Sequence, residues 1–200
     1  MEYIVNLSLP FKSPTPWGLE SYKEIALKEI EKNPLVQNYG LDLPPSAASA
    51  TAHAFFKSHG YLIVGCEYFY FEPNFAMGIH IDGSKYCRKA KFNWAYGGDH
   101  SFRFFEPLKE GYSDGVSNNA NSPYSLQFTE SDVEEKANKR TGSPSLVCVG
   151  VPHQVINGSE PLELFNISVW REGLRRETPD IDLGGMDMEE GLEVFKKYVL

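Results

Sequence analysis

The sequence predicts a mainly β protein: an antiparallel sandwich or barrel with helices buttressing one face. Three observations point there. Thirteen Phe, eleven Tyr and three Trp in 200 residues, with thirteen Pro and seventeen Gly as punctuation, favour many short strands over long helices. Between residues 60 and 171, branched and aromatic runs follow one another as about eight short strands. Helical periodicity is confined to the two ends of the chain, with no βαβ alternation and no internal repeat.

Taken in order, Tyr3 to Leu9 reads as a first strand stopped by Pro10, and a Pro- and Ser-containing connection follows. Glu20 to Lys32 is a helix by pattern, because Tyr22, Ile25, Ala26 and Ile30 recur near the 3.6 period and Asn33-Pro34 ends it. Ser46 to Ser58 is a second helix, Ala-rich, with Ser46 as its cap after Pro44-Pro45. Tyr61 to Val64 and Tyr68 to Phe71 are β by composition, and Pro73-Asn74 turns the chain into a strand from Phe75 to Ile81. Lys89 to Tyr96 and Ser101 to Phe105 follow. The interval 110–143 is polar and rich in Gly, Asn and Ser. It carries one short strand around Tyr124 to Phe128 and a charged patch from Glu130 to Arg140, and residues 111–122 suggest a lid. Leu146 to Val151 and Leu162 to Trp170 are the last strands, separated by the turn Asn157-Gly158. Asp187 to Leu200 closes the chain as an amphipathic helix through Met188, Leu192, Phe195 and Val199. The chain reads as one domain: helical support over 1–59, a β core over about 60–171, and a tail with its helix over 172–200.

The net charge of −8 argues against broad contact with nucleic-acid phosphates, whose neutralisation by Lys and Arg supplies most of such affinity. No apolar run approaches the roughly 18 residues of a membrane span. The N-terminus lacks the basic-then-apolar layout of a signal peptide. Cys66, Cys87 and Cys148 are odd in number and widely separated, which reads as free thiols in a reducing, cytoplasmic setting. The partner expected is therefore a small molecule or a peptide side chain, and the oligomeric state is left open.

The chemistry concentrates in Gly78-Ile79-His80-Ile81-Asp82-Gly83. In an extended chain, residues two apart share a face, so His80 and Asp82 stand side by side. They are two of the three ligands of the facial triad by which proteins hold non-haem Fe(II). A second imidazole must come from elsewhere, and Pro152-His153-Gln154-Val155-Ile156-Asn157 supplies it in His153. His53 reads as a packing or surface residue, and His100, at a loop end, as a surface residue.

This order resembles the Fe(II)- and 2-oxoglutarate-dependent oxygenases of the double-stranded β-helix (jelly-roll, cupin-like) class. The closest likeness is to the short aspartyl/asparaginyl- and prolyl-hydroxylase-like members of bacteria and phages. The residues that carry it are a strand ending in His80-x-Asp82, the strand Phe92-Asn93-Trp94, and Ser145-Leu146-Val147 leading to Pro152-His153-x-Val155-x-Asn157. The resemblance implies a dioxygenase with His80, Asp82 and His153 on the metal. Three open positions would accept 2-oxoglutarate and O2, and the reaction would hydroxylate a C–H bond. Family members place an Arg or Lys on the strand after the second His to hold the far carboxylate. Ten residues past His153, this chain has Glu163. The remaining candidates for that task are Arg88, Lys89, Lys91 and Arg103. Lys91 shares strand parity with Asn93, while Arg88 shares it with Phe92 and Trp94. Two other readings stand beside this one: a cupin-type metal-dependent enzyme without 2-oxoglutarate, to which Glu163 points, and a non-catalytic binding protein on the same scaffold.

Overall fold

The computed structural model describes residues 2–16, 18–33, 35–83, 86–109, 127–142, 144–173 and 185–200. The expected lid at 111–122 and most of the expected strand at 124–128 lie outside them. Eleven strands are described, in two antiparallel sheets. The strands are β1 (Ile4–Asn6), β2 (Asn38–Leu43), β3 (Tyr61–Phe71), β4 (Ile79–His80), β5 (Ala90–Gly97), β6 (Ser101–Pro107), β7 (Gln127–Phe128), β8 (Val133–Lys139), β9 (Ser145–Cys148), β10 (His153–Ile156) and β11 (Leu162–Arg171). The larger sheet runs β1-β9-β5-β11-β3-β2 and the smaller β7-β4-β10-β6-β8. Three α-helices, α1 (Glu20–Lys32), α2 (Ala50–Ser58) and α3 (Met188–Phe195), pack on the larger sheet.

The strands β5 and β11 are buried on both faces, which is why they read as near-continuous apolar runs. Alternation sorts their side chains. Phe92, Trp94, Phe165 and Ile167 are buried on the helix side, where Trp94 meets Phe11 with ring centroids 5.9 Å apart and Phe92 meets Phe56 and Phe195 edge-on at 4.6 Å and 5.1 Å. Such edge-on contacts add to burial worth about 1.5–3 kcal/mol per large apolar side chain. Lys91, Asn93, Leu164 and Asn166 point the other way, toward the smaller sheet.

The α1 boundaries coincide with those read from the pattern. The second helix differs: Pro45–Ala47 forms a short 3-10 turn, and α2 begins after Ser49, whose side chain accepts the Ala52 N–H at 3.1 Å. The cap is therefore Ser49 rather than Ser46, since the chain returns to extended backbone at Ala48 and Ser49 before α2 begins. Two strands had no signal in the pattern. β2 carries Asn, Gly and Asp, which are poor strand formers. β8 is an edge strand with mostly exposed charges and only Val133 buried. The segment expected to be a strand from Phe75 is paired only at its end, as β4, apart from a bridge at Ala76. Around the Asn157-Gly158 turn, Asn157 donates to the carbonyls of Glu72 (2.9 Å) and Glu160 (2.8 Å). A Cβ on Gly158 would lie 2.4 Å from the Asp99 carbonyl oxygen, so only glycine fits there.

The three cysteines are free thiols. None of the described helices is long and apolar enough to cross a membrane.

His100, expected at the surface, is instead buried just before β6, where it shares a 2.7 Å hydrogen bond with the Thr141 hydroxyl. Burial holds its pKa below the ordinary histidine value of 6.5. A histidine depressed in the folded state stabilises the fold fully above its unfolded value, and that contribution fades as pH falls from there toward the folded value. A His100→Gln variant should therefore lose part of the wild type's decline in melting temperature below pH 6.5. Parallel thermal melts of the two proteins check this.

Candidate metal centre

β4 and β10 are antiparallel neighbours in the smaller sheet, and His153 is the direct cross-strand partner of His80. Side chains opposite each other on one face are close, and here the ring centroids are 4.4 Å apart. Each imidazole is held by its own strand: the Nδ1–H of His80 donates to the Gly78 carbonyl (2.8 Å) and that of His153 to the Val151 carbonyl (3.0 Å). This fixes the tautomer and leaves both Nε2 lone pairs turned to a common point. Asp82 sits in the bend after β4, its backbone N–H tied to the Val149 carbonyl at 2.8 Å. Its Oδ1 lies 3.4 Å from His80 Nε2 and 3.9 Å from His153 Nε2.

One atom from each of His80, Asp82 and His153 falls within 4.8 Å of the others. Neighbouring ligands on an ion at about 2.1 Å are about 3 Å apart, so Asp82 Oδ1 would need to close by less than about 1 Å on either imidazole to share a divalent cation with it. The donor set also fits in kind: two neutral imidazoles and one ionised carboxylate, with open positions left over, suit Fe(II). Burial and the neighbouring His80 push the His153 imidazole down to about 4, so it is neutral and available as a ligand near neutral pH. Burial alone would raise the Asp82 carboxyl. The Lys91 ammonium, 2.8 Å from Oδ2, outweighs it, holding the group well below the usual carboxylate range.

The other wall comes from the larger sheet. Lys91 on β5 is buried and reaches across to Asp82 Oδ2 at 2.8 Å. The same ammonium meets both carboxylate oxygens of Glu67 on β3 at 2.7 Å each. Burial works against this charge, and the two carboxylates overcome it, so its pKa is raised. Asn166 on β11 gives its amide hydrogen to Glu67 Oε2 (3.4 Å) and accepts from Asn93 Nδ2 (2.6 Å). The rest of the lining is apolar: Phe69, Phe71, Met77, Phe102, Val147, Val149, Val155 and Leu164.

Of the six residues singled out in sequence for metal and co-substrate besides Asp82, the fold gathers His80, His153, Lys91 and Asn93 around this cavity and places Arg88 and Arg103 elsewhere. Arg88 precedes β5 on the helix side, 2.6 Å from Glu189 of α3. Arg103 lies on the outer face of the smaller sheet, bonded to Glu135 and Gln154 and stacked over Phe105. Lys89, a further candidate, has its backbone bridged to Asp187 and its side chain against Gly185, also on the helix side.

Glu163 is likewise on the far side. It faces α1, accepts the Tyr68 hydroxyl at 2.9 Å and pairs with Lys23 at 3.3 Å, while its neighbour Leu164 lines the cavity. The carboxylate-against-carboxylate conflict expected from its position therefore does not arise. Replacing it should leave metal affinity unchanged. Glu163→Ala should cost about 1–3 kcal/mol by orphaning the buried Tyr68 hydroxyl. Denaturant titration with and without metal separates the two effects.

Glu67 and Asn166 were not anticipated. Their signal is local: Glu67 is the one charged residue of YLIVGCEYFYF, and Asn166 sits between Phe165 and Ile167 in LELFNISVWR, each at the parity of cavity-lining neighbours.

No family model matches the chain, and no curated protein sequence does. Among solved structures it is similar to HygX from Streptomyces hygroscopicus with nickel and 2-oxoglutarate bound, at 10% identity over 86% of this chain and 82% of that one, TM-score 0.42. It is also similar to an oxidoreductase of the 2OG-Fe(II) oxygenase family from Burkholderia pseudomallei, at 14% identity over 60% and 50%, TM-score 0.34. A third is recombinant oxalate oxidase in complex with glycolate, at 13% identity over 66% and 50%, TM-score 0.35. The chain spans half the length of the latter two. At these scores the likenesses decide nothing about activity, and the pocket must be read from its own residues.

Proposed function

We propose that the protein is a non-haem Fe(II)-dependent oxygenase on a double-stranded β-helix scaffold, using a 2-oxo acid as co-substrate and hydroxylating a C–H bond of a small molecule or peptide side chain. In the family it resembles, the 2-oxo acid is 2-oxoglutarate. The observation that carries the reading is the convergence of His80 Nε2, His153 Nε2 and an Asp82 oxygen in the wall of a largely apolar cavity.

An Fe(II) ion bound there supplies the redox chemistry that couples O2 and 2-oxo acid consumption to hydroxylation. The chain's residues do the rest. The Gly78 and Val151 carbonyls hold both imidazoles in the ligating tautomer. Asp82 contributes one compensating negative charge, kept ionised by Lys91. The aromatic and aliphatic lining keeps water from the reacting centre, and Lys91 and Asn93 face the co-substrate's space.

The test is anaerobic titration of the Fe(II)-loaded protein with 2-oxo acids, including 2-oxoglutarate. A weak visible charge-transfer band, and release of the shortened acid once O2 is admitted, are the expected results. If no 2-oxo acid produces a band, the reading fails. A cupin-type metal-dependent enzyme that uses no 2-oxoglutarate is the second reading, and the engagement of Lys91 by two carboxylates favours it. Metal retention with no binding of any 2-oxo acid would select it.

A further inference from the structure

The polar floor of the cavity has a fixed direction of hydrogen bonding. Glu67 is a carboxylate and only accepts. Asn166 must therefore turn its amide hydrogens to Glu67 and its oxygen to Asn93, and it does. Asn93 in turn must give its own amide hydrogen to Asn166. That leaves Asn93 Oδ1, on a side chain 3% exposed and lining the cavity, as a buried acceptor without a donor among the described residues. Orphaned buried acceptors are costly, and in a pocket they identify what a ligand must bring.

The cation on the same floor is already spent. An ammonium has three hydrogens. Lys91 sits within 2.7–2.8 Å of three carboxylate oxygens, two on Glu67 and one on Asp82. No hydrogen remains for an incoming carboxylate. The charges agree: Asp82 and Glu67 against Lys91 leave one net negative charge, which a divalent metal converts to one net positive. A monoanion completes the neutralisation, whereas a dianion leaves an unpaired negative charge in a pocket otherwise lined by apolar residues.

We propose that Glu67, acting through Lys91 and the Asn166–Asn93 relay, makes this site selective for a monocarboxylate ligand whose other end donates a hydrogen bond to Asn93 Oδ1, and against dicarboxylates. The proposal rests on the metal reading above and names the class of co-substrate it would take. Glu67 is a specificity-determining residue in this scheme and touches no reacting atom.

The experiment uses the full chain loaded with redox-inert Mn(II), titrated calorimetrically with two probes. One is N-oxalylglycine, a 2-oxo acid mimic with two carboxylates. The other is N-oxalylglycinamide, the same molecule with the second carboxylate replaced by a carboxamide. The wild type should bind the amide at least about tenfold more tightly, the factor that satisfying one buried acceptor commands. Glu67→Gln frees a Lys91 hydrogen and removes a negative charge, so it should narrow or reverse that ratio. Equal or tighter binding of N-oxalylglycine by the wild type overturns the proposal, as does binding of neither probe. The wild-type ratio is decisive even if the variant does not fold. Failure of Mn(II) itself to bind is seen before any probe is added, and it removes the metal reading and this proposal together.

Discussion

His153→Ala should abolish the stabilisation that a divalent ion confers on this protein. The loss of a partner that merely orients a ligand typically weakens metal binding 10- to 100-fold, so loss of the ligand should weaken it by at least about 100-fold. At an ion concentration about 100 times the wild-type Kd, the bound metal stabilises the fold by about 2.7 kcal/mol, and the variant at the same concentration would gain about 0.4 kcal/mol. The effect is readable as the difference between melts with Mn(II) and with chelator. It does not depend on activity. The Nε2 atom removed is one of three converging on the site, and its Nδ1–H bonds only the adjacent Val151 carbonyl, so the metal-free fold should survive. A His153→Ala protein stabilised by metal as strongly as the wild type would show that the three side chains do not share an ion.

Lys91→Met should be the most damaging single change to the metal-free protein. Its ammonium stands between Asp82 and Glu67, and its removal leaves two carboxylates facing each other within the fold. Breaking a buried ion pair by deleting one member costs about 3–5 kcal/mol. Two measurements separate that cause from simple loss of packing. Combining Lys91→Met with Glu67→Gln should recover much of the loss, giving a coupling well above the few tenths of a kcal/mol that independent sites show. Adding Mn(II) should also rescue Lys91→Met more than it stabilises the wild type, because the ion replaces the ammonium as the counter-charge of Asp82. If the double variant is simply the sum of the singles, the network is not an electrostatic unit.

These two residues show how far the sequence reached. His-x-Asp is local: two residues apart in a strand is the same face whatever the fold, so the first two candidate ligands are legible without coordinates. His153 needed only a distant partner strand, and cross-strand pairing with His80 provides it. The α1 boundaries are local too, since a 3.6-period stripe and a following proline act within one turn. The edge strand β8 is illegible because its side chains are mostly exposed and need no apolar alternation, and β2 because it carries poor strand formers, Asn38, Gly40 and Asp42, at a half-buried edge.

What the sequence determined by itself is which residues travel together: Lys91 with Asn93, Phe92 with Trp94, Glu163 with Phe165. What only the tertiary structure decided is which set of each strand faces the cavity. The three helices cover one face of the larger sheet and the smaller sheet closes over the other. That choice sends Phe92, Trp94 and Glu163 outward to the helices and turns Lys91, Asn93, Glu67 and Asn166 inward toward the His80–Asp82–His153 cluster. A period of two assigns side chains to two faces and is symmetric between them. The packing of layers breaks that symmetry, and with it decides which charges meet.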